Sequence, residues 1–126
     1  MKQVLSIEQM KHLREIGLDT SDGSMCFEWN ESDPDIMIVT SPDADTNYDY
    51  CRKTYTLQDI LDKLPCFIGN QVLTMQKLAN SYTCLYVEPY SRSIIKITES
   101  KELIDAAYEM LCWCIENGYV KVGKEE

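Results

Sequence analysis

The sequence holds a single histidine, no Cys-x-x-Cys pair, no glycine-rich phosphate loop and no serine set in a nucleophile elbow. Each absence removes a class of chemistry: thioredoxin-type redox exchange, P-loop nucleotide binding and α/β-hydrolase catalysis all need those patterns. Catalysis by a Cys-His pair would require one of the six scattered cysteines to reach His12, and no signature surrounds any of them. His12 itself falls off the apolar stripe of its segment, beside Lys11, and reads as an exposed bystander. No stretch is long and apolar enough to span a membrane, and the opening M-K-Q-V-L-S-I-E-Q-M-K lacks the apolar core of a signal peptide. The expectation is a cytosolic protein with reduced thiols rather than a disulfide framework.

Basic residues are missing where acids are dense. Glu28, Glu31, Asp33, Asp35, Asp43, Asp45 and Asp49 follow one another without a Lys or Arg between them, whereas the rest of the chain is close to balanced, for a net charge of −9. Nucleic-acid binders need a basic surface to displace counterions, so direct DNA or RNA binding is excluded.

What is present is an ordinary folded composition, 44% hydrophobic and 26% charged over 126 residues, the size of one domain. Its strongest periodic signal is near the end. Residues 100–118 form one helix with Leu103, Ile104, Ala107, Met110, Leu111 and Cys114 on one arc. Ala106, Trp113, Tyr108 and Ile115 flank that arc, and Lys101, Glu102, Asp105, Glu109, Cys112 and Glu116 lie opposite. Two residues apart on a helix, Cys112 and Cys114 point about 200° from each other, so they can neither bond nor share a metal. Cys114 reads as core, and Cys112 as a thiol whose acidic surroundings raise its pKa.

Earlier in the chain, Ser6 and Gln9 make a capping box for a helix over 7–16, with Leu5 placed to staple onto Met10 and Gly17 to end it. Alternation places a strand over 25–29 with Met25, Phe27 and Trp29 on one face, returning as a hairpin through 36–40. The segment 41–53 is the longest loop. Thr56 caps a second helix over 57–64, stopped by Pro65. Residues 71–78 and 82–88 read as antiparallel strands joined across 79–81, with Leu73, Met75, Leu85 and Val87 toward the helices and Tyr82, Cys84, Tyr86 and Glu88 on the other face. A further strand over 94–98 precedes the long helix. The predicted class is α+β: a mainly antiparallel sheet of four to five strands with about three helices packed on one face, in a single domain.

At T-L-Q-D-I-L-D-K-L-P (residues 56–65) and L-I-D-A-A-Y-E-M-L-C-W-C-I-E-N-G-Y-V-K (residues 103–121) the chain resembles a group of small uncharacterised proteins of gut Bacteroidales bacteria, their phages and mobile elements. The resemblance implies a bacterial or phage cytosolic setting and carries no activity with it.

Two local patterns are candidate sites. Asp43, Asp45, Asn47 and Asp49 alternate as the first ligands of a calcium loop do, because hard cations need clustered oxygens. Tyr48 stands at the sixth position where glycine permits the bend, and Thr54 at the twelfth where a bidentate Glu is needed. Tyrosines supply the other pattern: Tyr48 and Tyr50 near the acidic loop, and Tyr82, Tyr86 and Tyr90 along the second sheet face, suited to a protein partner or a homo-oligomer. The functional expectation is therefore a small non-catalytic binding or accessory module acting through protein–protein contacts, with no membrane contact and no cofactor unless the acidic loop takes calcium. The alternatives are a calcium-binding module, an acidic nucleic-acid mimic and a small enzyme.

Overall fold

The computed structural model describes residues 2–30, 33–40 and 53–122. The capping box at Ser6 starts α1 (Ile7–Glu15): the Ser6 hydroxyl accepts from the Gln9 amide at 3.1 Å, and the Gln9 side chain accepts from the Ser6 amide at 2.9 Å. Gly17, at φ +105°, turns the chain so that the Leu18 amide reaches the Leu13 carbonyl at 3.0 Å. Leu5, Met10 and Leu13 are buried, as the staple and stripe require.

Strands β1 (Met25–Asn30), β2 (Asp33–Thr40) and β3 (Lys53–Thr54) form an antiparallel sheet ordered β2-β1-β3. The expected hairpin is there. The buried residue of β1 is nevertheless Cys26, while Met25 and Phe27 on the other side stay half-exposed. The N-terminal segment runs beside β3. The Leu5 amide donates to the Tyr55 carbonyl at 3.0 Å, and the buried Thr54 hydroxyl donates to the Leu5 carbonyl at 2.7 Å.

Helix α2 (Leu57–Lys63) is held by its own capping box, Thr56 with Asp59, and ends at Leu64 before Pro65. Strands β4 (Phe67–Ile68), β5 (Gln71–Lys77), β6 (Tyr82–Val87) and β7 (Ile94–Ser100) then make a second antiparallel sheet in sequential order. The α+β class holds, with the strands divided between two sheets. The long helix α3 (Leu103–Glu116) lies across β6 and β7 and packs on α2. It starts at Glu102, whose side chain makes no capping bond and accepts instead from the Lys2 amide at 3.1 Å, because Ser100 is still the last residue of β7. Ile104, Ala106, Ala107, Met110, Leu111, Cys114 and Ile115 are buried, so the periodicity fixed the phase. Gly118, at φ +81°, closes the helix, and the Tyr119 ring stacks 5.3 Å from Trp113.

The strand faces require a correction. Leu73 stands opposite Tyr86, and Met75 opposite Cys84. Directly paired residues share a face, so Tyr86 and Cys84 point with Leu73 and Met75 into the core under α3, and Leu85 and Val87 point away. A one-residue error of phase exchanges the two faces of a strand. Cys112 also differs from its expected place: it is half-buried and packs against the core rather than lying on the solvent face.

Candidate interaction face

The side of the four-stranded sheet away from α3 is built from three cross-strand rows. Phe67, Val72, Val87 and Ile94 pair in sequence across all four strands, Thr74, Leu85 and Ile97 across three, and Gln76, Thr83 and Glu99 across the same three. The first two rows are apolar except for Thr74, and the third is polar. Between Tyr86 and Val87 the β6–β7 register shifts, leaving Ile95 as an extra residue on β7. Its amide, withdrawn from regular pairing, donates to the Gln71 side chain at 3.2 Å. Ile94, Ile95 and Ile97 remain 41 to 48% exposed, and Phe67 63%. A contiguous apolar surface of this kind is uncommon on a monomer and marks an interaction site when its rim is polar.

Residues of β7 that point the other way are tied to the helix. The Thr98 hydroxyl, buried, donates to the Ala106 carbonyl at 2.7 Å, and the Lys96 ammonium sits 6.0 Å from the centre of the Trp113 ring. These contacts lock β7 on α3 and fix its isoleucines outward.

The tyrosines do not gather on this face. Tyr86 is fully buried, its hydroxyl donating to the Pro65 carbonyl at 2.7 Å, and burial is the main reason its pKa rises far above the ordinary tyrosine value. Tyr82 starts β6 on the same inner side and is half-buried, lining a cleft of about 480 Å³ with Lys2, Leu57, Lys101 and Leu103. Tyr90 is 93% exposed in the turn between β6 and β7, where its amide donates to Glu88. The same turn draws the Glu88 carboxyl below its usual value through the Ser91 amide and hydroxyl. Tyr48, Tyr50, Asp43, Asp45, Asn47 and Asp49 lie outside the described residues. Among the described residues no cluster of three or more His, Cys, Asp or Glu side chains converges as metal ligands do.

Thiol chemistry is disfavoured at three of the described cysteines. Burial pushes Cys84 up to about 12, and Cys112 and Cys114 up to about 11, so each is held as a neutral thiol near pH 7. For Cys112 the acidic neighbours Glu116 and Glu109 add to the rise, as their placement on the helix predicts, but burial is the larger cause. His12 sits on α1 with Nδ1 3.9 Å from Glu15 and its ring edge toward Tyr108. In the cleft beside Tyr82 the Lys2 ammonium is engaged by Asp105 and Gln9, each at 2.8 Å.

The residues missed by sequence reasoning are Phe67, Ile94, Ile95 and Ile97. The I-I-K-I run of β7 carried the signal, because a strand with Lys96 toward a helix must turn its isoleucines away from it.

Fold and site together define an α+β domain with one apolar sheet face on which no helix or strand among the described residues packs. Comparison with protein-family models, with curated proteins and with solved structures finds no match for the chain.

Proposed function

We propose that this chain is a non-catalytic binding or accessory module that engages a protein partner through the outer face of its four-stranded sheet. The observation that carries the reading is the row of Phe67 and Ile94 with Ile95 and Ile97, large apolar side chains left 41 to 63% exposed on the outer side of a paired sheet. Sheet faces of this composition bury themselves against another apolar surface, at about 25 cal/mol for each Å² removed from water. The setting proposed is the cytosol of a bacterial or phage system, resting on the resemblance at residues 56–65 and 103–121.

A photo-reactive amino acid at Ile97, compared with one at the exposed Glu109 on α3, tests the reading in the cell that makes the protein. Discrete protein adducts at position 97 and none at 109 are expected. Equal or absent adducts at both positions would remove the face from consideration.

A further inference from the structure

Resting on that reading, we propose that the partner of the open sheet face is a second copy of the same chain, packed face to face about a two-fold axis crossing the middle of β7. Three observations on this surface select that occupant.

The first is charge. Of the residues in the three cross-strand rows only Glu99 has an acidic or basic side chain, in a chain of net charge −9. Two such chains repel wherever acids meet, and a neutral face is where they approach at least electrostatic cost.

The second is the order of charges along β7. Arg92 precedes the strand and Glu99 lies near its end, both exposed, with the isoleucines between them. A two-fold axis between Ile95 and Lys96 runs β7 antiparallel to its copy, so that the isoleucines cover each other and each Arg92 lies against Glu99 of the partner subunit. The arrangement is isologous, closes at two chains and satisfies both rims by the same pair. Aligned packing of sheets in this way is a standard solution for two apolar faces.

Size is the third. The exposed parts of Phe67, Ile94, Ile95 and Ile97, with half-covered Val72 and Val87, amount to roughly 400 Å² of apolar surface per chain, by ordinary side-chain areas. A stable interface takes about 800 Å² from each partner, a little over half of it apolar. The face therefore supplies the apolar share of one such interface.

Sedimentation equilibrium of the full chain, from micromolar to near-millimolar protein, tests the inference. A dimer is expected, with Ile97→Lys weakening it at least about a hundredfold and Phe67→Ser giving a second disruption should the first variant unfold. Arg92→Glu alone should weaken the dimer about tenfold, and Arg92→Glu combined with Glu99→Arg should restore it to within about threefold. A strict monomer across the range overturns the proposal, as does a dimer indifferent to Ile97→Lys and Phe67→Ser. A dimer that these two variants disrupt but the charge reversals leave unchanged overturns the two-fold placement. For a monomer, an environment-sensitive dye separates the two failures: binding that Ile97→Lys abolishes leaves the face open for a different protein, and binding unchanged by Ile97→Lys removes the face itself.

Discussion

Tyr86 stands directly opposite Leu73 across the β5–β6 ladder, and the pair points into the core beneath α3. That one register decides which side of the sheet is free. It puts a tyrosine inside, hydroxyl bonded to Pro65, and leaves aliphatic side chains outside.

Tyr86→Ala should cost ~3 to 5 kcal/mol of stability through the cavity it opens. Tyr86→Phe should cost ~1 to 2 kcal/mol, because the Pro65 carbonyl loses its donor. Tyr90→Ala, in the exposed turn, should stay within about 0.5 kcal/mol. Urea denaturation of the three variants checks the order, and equal losses at positions 86 and 90 would show the strand face is wrong.

Acid stability should depend on the contact between Tyr55 and Asp22. The Tyr55 hydroxyl donates to Asp22 at 2.8 Å, the Lys63 ammonium meets the other carboxylate oxygen at 2.6 Å, and together they anchor the 19–24 loop to α2. Burial pulls the Asp22 pKa up, but the Lys63 and Tyr55 bonds outweigh it and the net shift is below the ordinary 3.8. A lowered folded pKa means the stabilisation is complete above the unfolded value and is lost as pH falls through the folded one. Asp22→Asn should thus flatten the stability profile below about pH 4 while lowering stability at neutral pH. An unchanged acid limb would contradict the assignment.

Alkali gives the opposite sign. Burial is the main cause raising Tyr55, Tyr86 and Tyr108 well above 10.0, so their contribution is complete below that value and lost as pH rises past it. Absorbance at the phenolate band should show these three ionising together with unfolding rather than as free phenols. Ionisation of all eight tyrosines before any loss of helix signal would count against the packing.

Thiol reactivity should rank the cysteines by depth. Cys66 is exposed and should react first among the described cysteines, Cys112 slowly, and Cys84 and Cys114 only on unfolding. Cys114→Asp should unfold the domain, and Cys112→Ser should cost about 0.5 to 1 kcal/mol, more than a fully exposed position would. Mass spectrometry of pulse-alkylated protein reads the ranking directly.

Much of the fold was legible because helices announce themselves locally. Ser6 with Gln9, Thr56 before Pro65, and Gly17 and Gly118 set helix ends within a few residues, and the periodicity of α3 set its buried arc. Strands were legible as segments but not as faces. Hydropathy favours Leu85 and Val87 inward, yet the register inherited from β5 turns Cys84 and Tyr86 in, and no local signal on β6 overrides that pairing. The division into two sheets is likewise a matter of pairing: β3 joins β1 across residues distant in sequence, and β4 is a two-residue strand. The candidate site followed the same fault. The interaction surface was sought on a sheet face, but it was assigned tyrosines of which the described ones lie in the core, a cleft and a turn.

On the proposed reading the outer sheet face is a surface for binding and not part of the fold's own core. The most direct measurement takes one protein carrying a photo-reactive residue at Ile95 and compares it with and without Ile97→Lys, recording melting temperature and adduct yield together. With melting recorded on protein dilute enough to be monomeric, the expected shift is no more than about 2 °C, as for an exposed site, with the adduct lost. An adduct that survives the lysine, or a melting temperature that collapses with it, would contradict the account.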